Sequence, residues 1–244
     1  MERIEELIRT YEPSLEVIQI VQNTKIVFLV GISGAGKDTV KKELLKGSDY
    51  REIISHTTRA PRANNGVMEQ NGVEYHFVSQ ETAELMLENK DFIEAKLVHG
   101  SVIYGTSMYD VKRAGDDGKI AITDIDVQGV DEYKELSRDV VAIFLIPPSY
   151  DEWQQRLKSR YANAEDFLAE WPRRRKSAIA ELERALALPY YHFIINNDLQ
   201  ETVRIADEIA RKPDVFHRKD DEARLAARDL LDEISAASDI RIDL

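Results

Sequence analysis

The 244-residue chain has no cysteine, so disulfides and thiolate metal sites are excluded. Its five histidines, His56, His76, His99, His192 and His217, are scattered without metal-ligand spacing and read as structural or solvated. Cationic excess is missing too. Lysine and arginine number 33 against 45 aspartates and glutamates, a formal net charge of -12, which repels polyanions and argues against nucleic acid or an anionic membrane as a bulk partner. Any phosphate ligand must then be held by a local basic cluster. No apolar run approaches the length of about 18 residues that a membrane helix needs. Met1-Glu2-Arg3 opens a segment without a long apolar core, and the expectation is a cytoplasmic protein. What remains is ordinary globular material, 43% apolar, enough for one sizeable core or for a core domain with smaller inserts.

One stretch organises the rest. Gly31-Ile32-Ser33-Gly34-Ala35-Gly36-Lys37-Asp38-Thr39 follows the apolar run Lys25 to Val30 and precedes a helix-forming stretch from Thr39 to Lys46. A buried strand entering a glycine-rich turn and then a helix is where backbone N–H groups converge on a phosphate. Lys37 adds a mobile positive charge for the outer phosphates of a nucleoside triphosphate. The stretch looks like a P-loop, with one departure: Asp38 stands where the pattern asks for a serine or threonine whose hydroxyl ligates Mg²⁺. Either its carboxylate binds the metal through water, or it points away and Thr39 takes a share of the role.

Around it, strand and helix patterns alternate. Ile4, Leu7 and Ile8, then Leu15, Ile18 and Val21, fall at helical spacing, and Pro13 splits them into two short helices. Later strands are expected at 51–55, 73–78, 91–98, 102–106, 119–124, 140–146 and 193–195. Helices are expected at 80–89, 107–114, 130–136, 149–160, up to about Leu186, 199–210 and 223–234. Repeated βαβ order means a mostly parallel sheet with helices on both faces. Arg59 and Arg62 share a loop with Thr57, Thr58 and Pro61, a fork suited to a phosphate or simply solvated surface. Ile120 to Asp126 is apolar until it ends in Asp124 and Asp126 at a strand's carboxyl end, where ligands sit in such sheets; one of the two could instead cap the next helix. Residues 160–176 carry Arg160, Arg173, Arg174 and Arg175 around an expected flexible turn, the composition of a lid.

Together the P-loop, Ser55 to Arg62, Gly72 to Phe77, Phe92-Ile-Glu94, Tyr104-Gly-Thr106 and Asp124 to Gly129 resemble the guanylate kinases, in the family's order and close to its spacing, over about Lys25 to Ala210. The resemblance implies an α/β fold: a P-loop NTPase-type three-layer sandwich with a parallel core sheet, a GMP-binding α+β insert near 55–106 and a helical lid near 158–176. It divides the chain into a helical extension at 1–23, a kinase domain at 24–210 and a second extension at 211–244. By position it implies ATP contacts from Gly31, Ser33, Gly34, Ala35, Gly36, Lys37, Asp38, Thr39, Arg160, Asn196 and Asn197. Ser55, Arg59, Arg62, Tyr75 and Tyr104 would hold the GMP phosphate, with Glu94, Thr106 and Asp126 on the base. Lys37, Arg62, Asp124, Arg160 and Arg174 would carry catalysis, and Mg²⁺ with ATP would be ordered through Thr39, Asp38 or Asp124. The lid is about three residues longer than the family's, which leaves Arg173 and Arg175 as alternatives to Arg174. One extra residue separates Glu94 from Tyr104.

The implied activity is transfer of the ATP γ-phosphoryl group to GMP, with small nucleotides as partners and a monomer or homodimer as the assembly. A carboxylate suits guanine, which offers N1–H and an exocyclic amine, and repels the acceptor N1 of adenine. Two alternatives stand beside it: a kinase for another phosphate acceptor such as ribose 1,5-bisphosphate, and a catalytically silent protein-binding module like the guanylate-kinase-like domains of scaffold proteins.

Overall fold

The computed structural model describes residues 2–64, 67–98, 100–214 and 218–237; His99 and His217 lie outside them. Two helices come first, α1 (Glu2–Arg9) and α2 (Leu15–Asn23), and Ser14 caps the second by accepting from the Val17 N–H at 3.3 Å. Then come β1 (Ile26–Val30), α3 (Lys37–Leu45), β2 (Tyr50–Glu52), β3 (His56–Thr57), β4 (Ala63–Asn64), β5 (Val67–Met68) and β6 (His76–Phe77). They are followed by α4 (Gln80–Glu88), β7 (Phe92–Val98), β8 (Val102–Ser107), α5 (Met108–Asp116), β9 (Ile120–Asp124) and α6 (Val127–Leu136). Last are β10 (Val141–Ile146), α7 (Tyr150–Lys158), α8 (Ala164–Ala187), β11 (Tyr191–Ile195), α9 (Leu199–Arg211) and α10 (Arg218–Ala236). The result is the α/β architecture with parallel strands that the alternation predicts.

The chain divides into two compact units. The first comprises Met1–Ile26, Ser48–Thr123 and Glu132–Val140; the second comprises Val27–Gly47, Asp124–Asp131 and Val141–Leu244. In the second unit β1, β10 and β11 run parallel, Val27 beside Val141 and Ala142 beside Tyr191. Every residue of β1 and β10 is buried, as expected for parallel strands covered on both faces. α10 packs on α8 and along β11. Its Asp220 accepts from the Phe193 N–H, and Arg224 bonds the Tyr191 carbonyl with its guanidinium 4.7 Å from the Phe193 ring. The C-terminal helix thus covers a strand edge that would otherwise offer open N–H groups.

In the first unit β2 and β9 pair in parallel, and a four-stranded sheet runs in the order β6-β3-β8-β7. Ile4 of α1 joins a core with Ala83, Met86, Leu87, Phe92 and Ile103, and burying a side chain of that size contributes about 1.5–3 kcal/mol. Tyr11 donates to the Phe92 carbonyl at 2.6 Å. The N-terminal helix is therefore integral to this core.

Several elements depart from their expected bounds, each for a local reason. α3 begins at Lys37, not Thr39, because Gly36 takes a left-handed conformation (φ +94°) as its cap and its carbonyl accepts from Thr39 and Val40. The strand expected at 51–55 ends at Glu52: the Ile54 N–H goes to the Asp110 carboxylate at 3.1 Å, which breaks the ladder. The polar stretch after Arg62 contains the β4–β5 pair, which composition did not signal, and the strand expected at 73–78 shrinks to His76–Phe77 behind a turn. Arg173, Arg174 and Arg175 do not border a turn. The turn lies before Asn163, which caps the 24-residue α8 by accepting from Asp166, and Pro172 sits inside that helix. α10 starts at Arg218 rather than Ala223, its Asp220 and Asp221 placed in the first turn where the helix dipole favours acids.

Candidate active site

In the second unit, the turn after β1 wraps a cavity of about 350 Å³ lined by Gly31, Ser33, Gly34, Gly36, Lys37, Asp38, Asp124, Ile125, Asp126, Arg160 and Glu181. Glycine is required at two points of the turn. At Gly31 (φ +137°) a Cβ would lie 2.2 Å from the Leu145 carbonyl oxygen, and at Gly36 it would lie 2.3 Å from Asn196 Nδ2. Around the turn, Trp153 Nε1 donates to the Ser33 carbonyl at 2.8 Å and Asn196 Nδ2 to the Ala35 carbonyl at 2.8 Å. Buried groups on α7 and after β11 therefore hold the loop in shape from behind.

Lys37 folds back so that its ammonium donates to the Gly31 carbonyl. Burial lowers its pKa from the ordinary lysine value, and the carboxylates of Glu181, Asp124 and Asp38 oppose that shift. Asp124 accepts from Lys41 Nζ at 2.6 Å. Asp126 accepts from the Gly129 N–H at 2.7 Å, so its carboxylate caps the start of α6. The Ile125 N–H donates to the Leu29 carbonyl at 3.3 Å and ties this loop to β1. Glu181, bonded by the Ser177 hydroxyl at 2.7 Å, has a pKa raised by burial.

Of the arginines expected in the lid, Arg160 lies on the cavity wall and donates to Ser33 Oγ at 3.3 Å. Arg174 donates to the Tyr161 hydroxyl at 3.1 Å. Arg173 pairs with Glu170 at 2.6 Å, and Arg175 bonds the Ile234 and Ser235 carbonyls at the end of α10. Asn197 and Thr39 are exposed, and neither they nor Ala35 line the cavity.

The first unit gathers a different set. Thr106 Oγ1 donates to Glu94 Oε1 at 2.7 Å and lies 3.3 Å from Ser55 Oγ. Burial raises the Glu94 pKa above the usual carboxylate value, and the bond from Thr106 partly opposes it. Arg59 Nε donates to the Tyr104 hydroxyl at 3.0 Å, and its two terminal nitrogens reach both oxygens of Glu69 at 2.7 and 3.1 Å. Its guanidinium lies 5.3 Å from the Tyr75 ring centre, and Tyr75 meets Tyr104 edge-on at 5.7 Å. Glu69 also accepts from the Arg62 N–H at 2.8 Å, while the Arg62 side chain is exposed. Ser55, Arg59, Tyr75, Glu94, Tyr104 and Thr106 thus form two adjoining polar clusters in one unit; Asp126 belongs to the other unit.

Three participants escape a reading of motifs. Glu69 lies in a stretch read only as polar loop, Lys41 is one of several charged residues on α3, and Glu181 sits mid-helix. The signal that would find Lys41 is its spacing from Lys37, one helical turn on the same face.

A parallel α/β unit whose strand-to-helix turn wraps a cavity with a lysine at the helix start defines a P-loop fold. A family model described as guanylate kinase matches residues 23–212, and the chain belongs to that family. It is 36% identical over 184 residues to guanylate kinase 1 of Oryza sativa subsp. japonica, a match spanning 74% of this chain and 46% of that protein. The chain thus spans about half the length of that relative. Guanylate kinase of Clostridium perfringens (strain 13) is 36% identical over 185 residues, 75% of this chain and 81% of the relative. The crystal structure of guanylate kinase from Anaplasma phagocytophilum matches with a TM-score of 0.56 at 26% identity, covering 90% of this chain and 100% of that one. Among the described residues no helix is long and apolar enough to cross a membrane.

Proposed function

We propose that the chain transfers the γ-phosphoryl group of ATP to GMP, reversibly, giving ADP and GDP in the cytoplasm. The observation that carries this reading is the Glu94 carboxylate, held by Thr106 beside Ser55. A half-buried acceptor beside a hydroxyl matches the guanine edge and leaves polar groups unpaired with adenine, which makes discrimination large. Arg59, Arg62, Tyr75, Tyr104 and Ser55 take the GMP phosphate, with the Arg59 fork braced by Glu69. Asp126 is placed among the base-reading residues by the resemblance alone. The division into extensions at 1–23 and 211–244 around a kinase domain at 24–210 is supported by the family match over 23–212.

On the donor side, the turn from Gly31 to Thr39 takes the ATP phosphates through backbone N–H groups and Lys37, with Asn196 and Asn197 toward adenine. Arg160 and Arg174 neutralise charge on the transferring group. Arg174 is favoured over Arg175, which is committed to α10, and over Arg173, whose contact with Glu170 is the closer of the two at 2.6 Å against 3.8 Å for Arg174. Among the described residues no three His, Asp or Glu side chains gather to hold a metal by themselves. Asp38 and Asp124 are oxygen donors on the cavity wall, the right chemistry for Mg²⁺ held mainly by nucleotide phosphates. When bound, that ion neutralises phosphate charge. Transfer is direct from nucleotide to nucleotide, and positioning with charge neutralisation carries the rate.

An ADP-release assay with ATP and Mg²⁺ tests this, offering GMP, dGMP, AMP, UMP and ribose 1,5-bisphosphate in parallel. Strong preference for GMP is expected. Preference for the sugar phosphate would replace the reading with the first alternative, against which the Glu94–Thr106 pair argues. Absence of turnover with every acceptor would favour the binding module, against which Lys37 and the formed phosphate cavity argue.

A further inference from the structure

Lys41 borders the cavity lining at Asp124, has no role in the reading above, and touches a residue that the reading needs. Its ammonium lies 2.6 Å from Asp124 Oδ1, with the lysine side chain only 14% exposed and the aspartate 33% exposed. On α3 it follows Asp38 by three residues and Lys37 by four, so it neighbours each of them on the helix surface. Lys37 turns back toward the Gly31 carbonyl at the loop, whereas Lys41 turns to the carboxyl end of β9. The cavity wall carries four acids, Asp38, Asp124, Asp126 and Glu181, against two cations, Lys37 and Arg160. A polyphosphate entering such a wall meets an excess of its own charge. Asp38 adds one negative charge where the P-loop pattern has a neutral hydroxyl, and Lys41 supplies one positive charge behind the neighbouring carboxylate.

We propose that Lys41 is a positioning residue that serves as a resident counter-cation for Asp124. It neutralises that carboxylate before any divalent ion is present, so the cavity accepts a free nucleoside triphosphate anion, and Asp38 is left as the carboxylate open to a metal. The inference rests on the reading that the cavity takes ATP phosphates.

The test is calorimetric binding of ATP to the full chain, with Mg²⁺ and with EDTA, for the wild type and for Lys41→Met, Lys41→Arg and the double variant Lys41→Met/Asp124→Asn. Lys41→Met exposes the charge of Asp124, so free ATP should bind roughly tenfold more weakly while Mg-ATP changes by less than about threefold. Lys41→Arg should keep the wild-type ratio of the two affinities, and the double variant should restore it, because both charges are then gone. A merely structural lysine would weaken both forms of ATP together. That outcome, or an unchanged ratio in Lys41→Met, overturns the proposal; circular dichroism melting confirms that each variant is folded. If the wild type binds neither form of ATP, the donor-site reading itself fails and the proposal falls with it.

Discussion

The two polar regions of this chain are built on opposite plans. In the first unit the groups proposed to read GMP are side chains already paired with one another: Thr106 on Glu94, and Glu69 and Tyr104 on Arg59. In the second unit the surface proposed to take ATP phosphates is the main chain of a glycine turn, braced from behind by Trp153 and Asn196, with a few charges at its rim. Side chains placed one by one choose between ligands, because each can be wrong for a competitor. A curled backbone offers N–H groups to any polyphosphate. Changes in the first unit should therefore alter which nucleotide is used, and changes in the second should alter the rate with all of them.

The largest expected effect tests the second half of that contrast. Lys37→Met should lower turnover about 10³-fold with every acceptor, the size of loss typical when a preorganised charge at a reacting phosphoryl group is removed. GMP binding measured by calorimetry should stay within about twofold of wild type. If GMP binding falls in step with turnover, the division of labour between the units is wrong.

Next comes Glu94→Gln, which sharpens the first half. Its amide would present a donor to guanine donors, and kcat/KM for GMP should fall about 10³-fold. Stability should move the other way. Burial raises the Glu94 pKa in the folded chain, so the stabilisation from its protonated form is complete below the unfolded value and is lost as pH rises through the folded one. Glutamine has no such loss. The variant should melt above wild type at pH 8, and the difference should shrink toward pH 4; a Tm gap that does not depend on pH would contradict a raised pKa.

These two residues also mark what was legible in the sequence. The strand, glycine turn and helix from Ile26 to Leu45 were readable because buried strands, left-handed glycines and helix starts each carry a local signature. Glu94 came through resemblance to a family, since nothing local distinguishes it from any other strand glutamate. What stayed hidden was partnership at long range. Glu69 braces Arg59 across ten residues of a stretch that looks like polar loop, and Lys41 meets Asp124 across 83. The arginines at 173–175 misled in the opposite sense: their clustering suggested a flexible turn, yet α8 runs through them and through Pro172, because helix packing outweighs the one backbone bond that proline forfeits. Packing likewise drew the Ile54 N–H to Asp110 and cut a strand short.

Arg59→Ala should weaken GMP binding about 100-fold, in the range seen when one partner of a buried, hydrogen-bonded charge pair is truncated. Part of that loss comes from the Glu69 carboxylate, with its side chain 7% exposed, whose charge then lacks the Arg59 guanidinium and repels the phosphate. ATP binding should be nearly unchanged, and equal loss of both would erase the contrast between the units.

The smallest effect concerns Arg175, which bonds the Ile234 and Ser235 carbonyls at 2.8 and 2.7 Å. The last carbonyls of a helix lack partners within it, and a cation placed there also meets the favourable end of the dipole. Arg175→Ala therefore costs about 1 kcal/mol in the anchoring of α10, which in a chain of this size lowers Tm by about 2–4 °C. Turnover with ATP and GMP should hold, because Arg174 rather than Arg175 is assigned to the transferring phosphoryl group. A tenfold loss of turnover with an unchanged Tm would exchange the two assignments, and would mean that the arginine capping α10 leaves that helix when nucleotide binds.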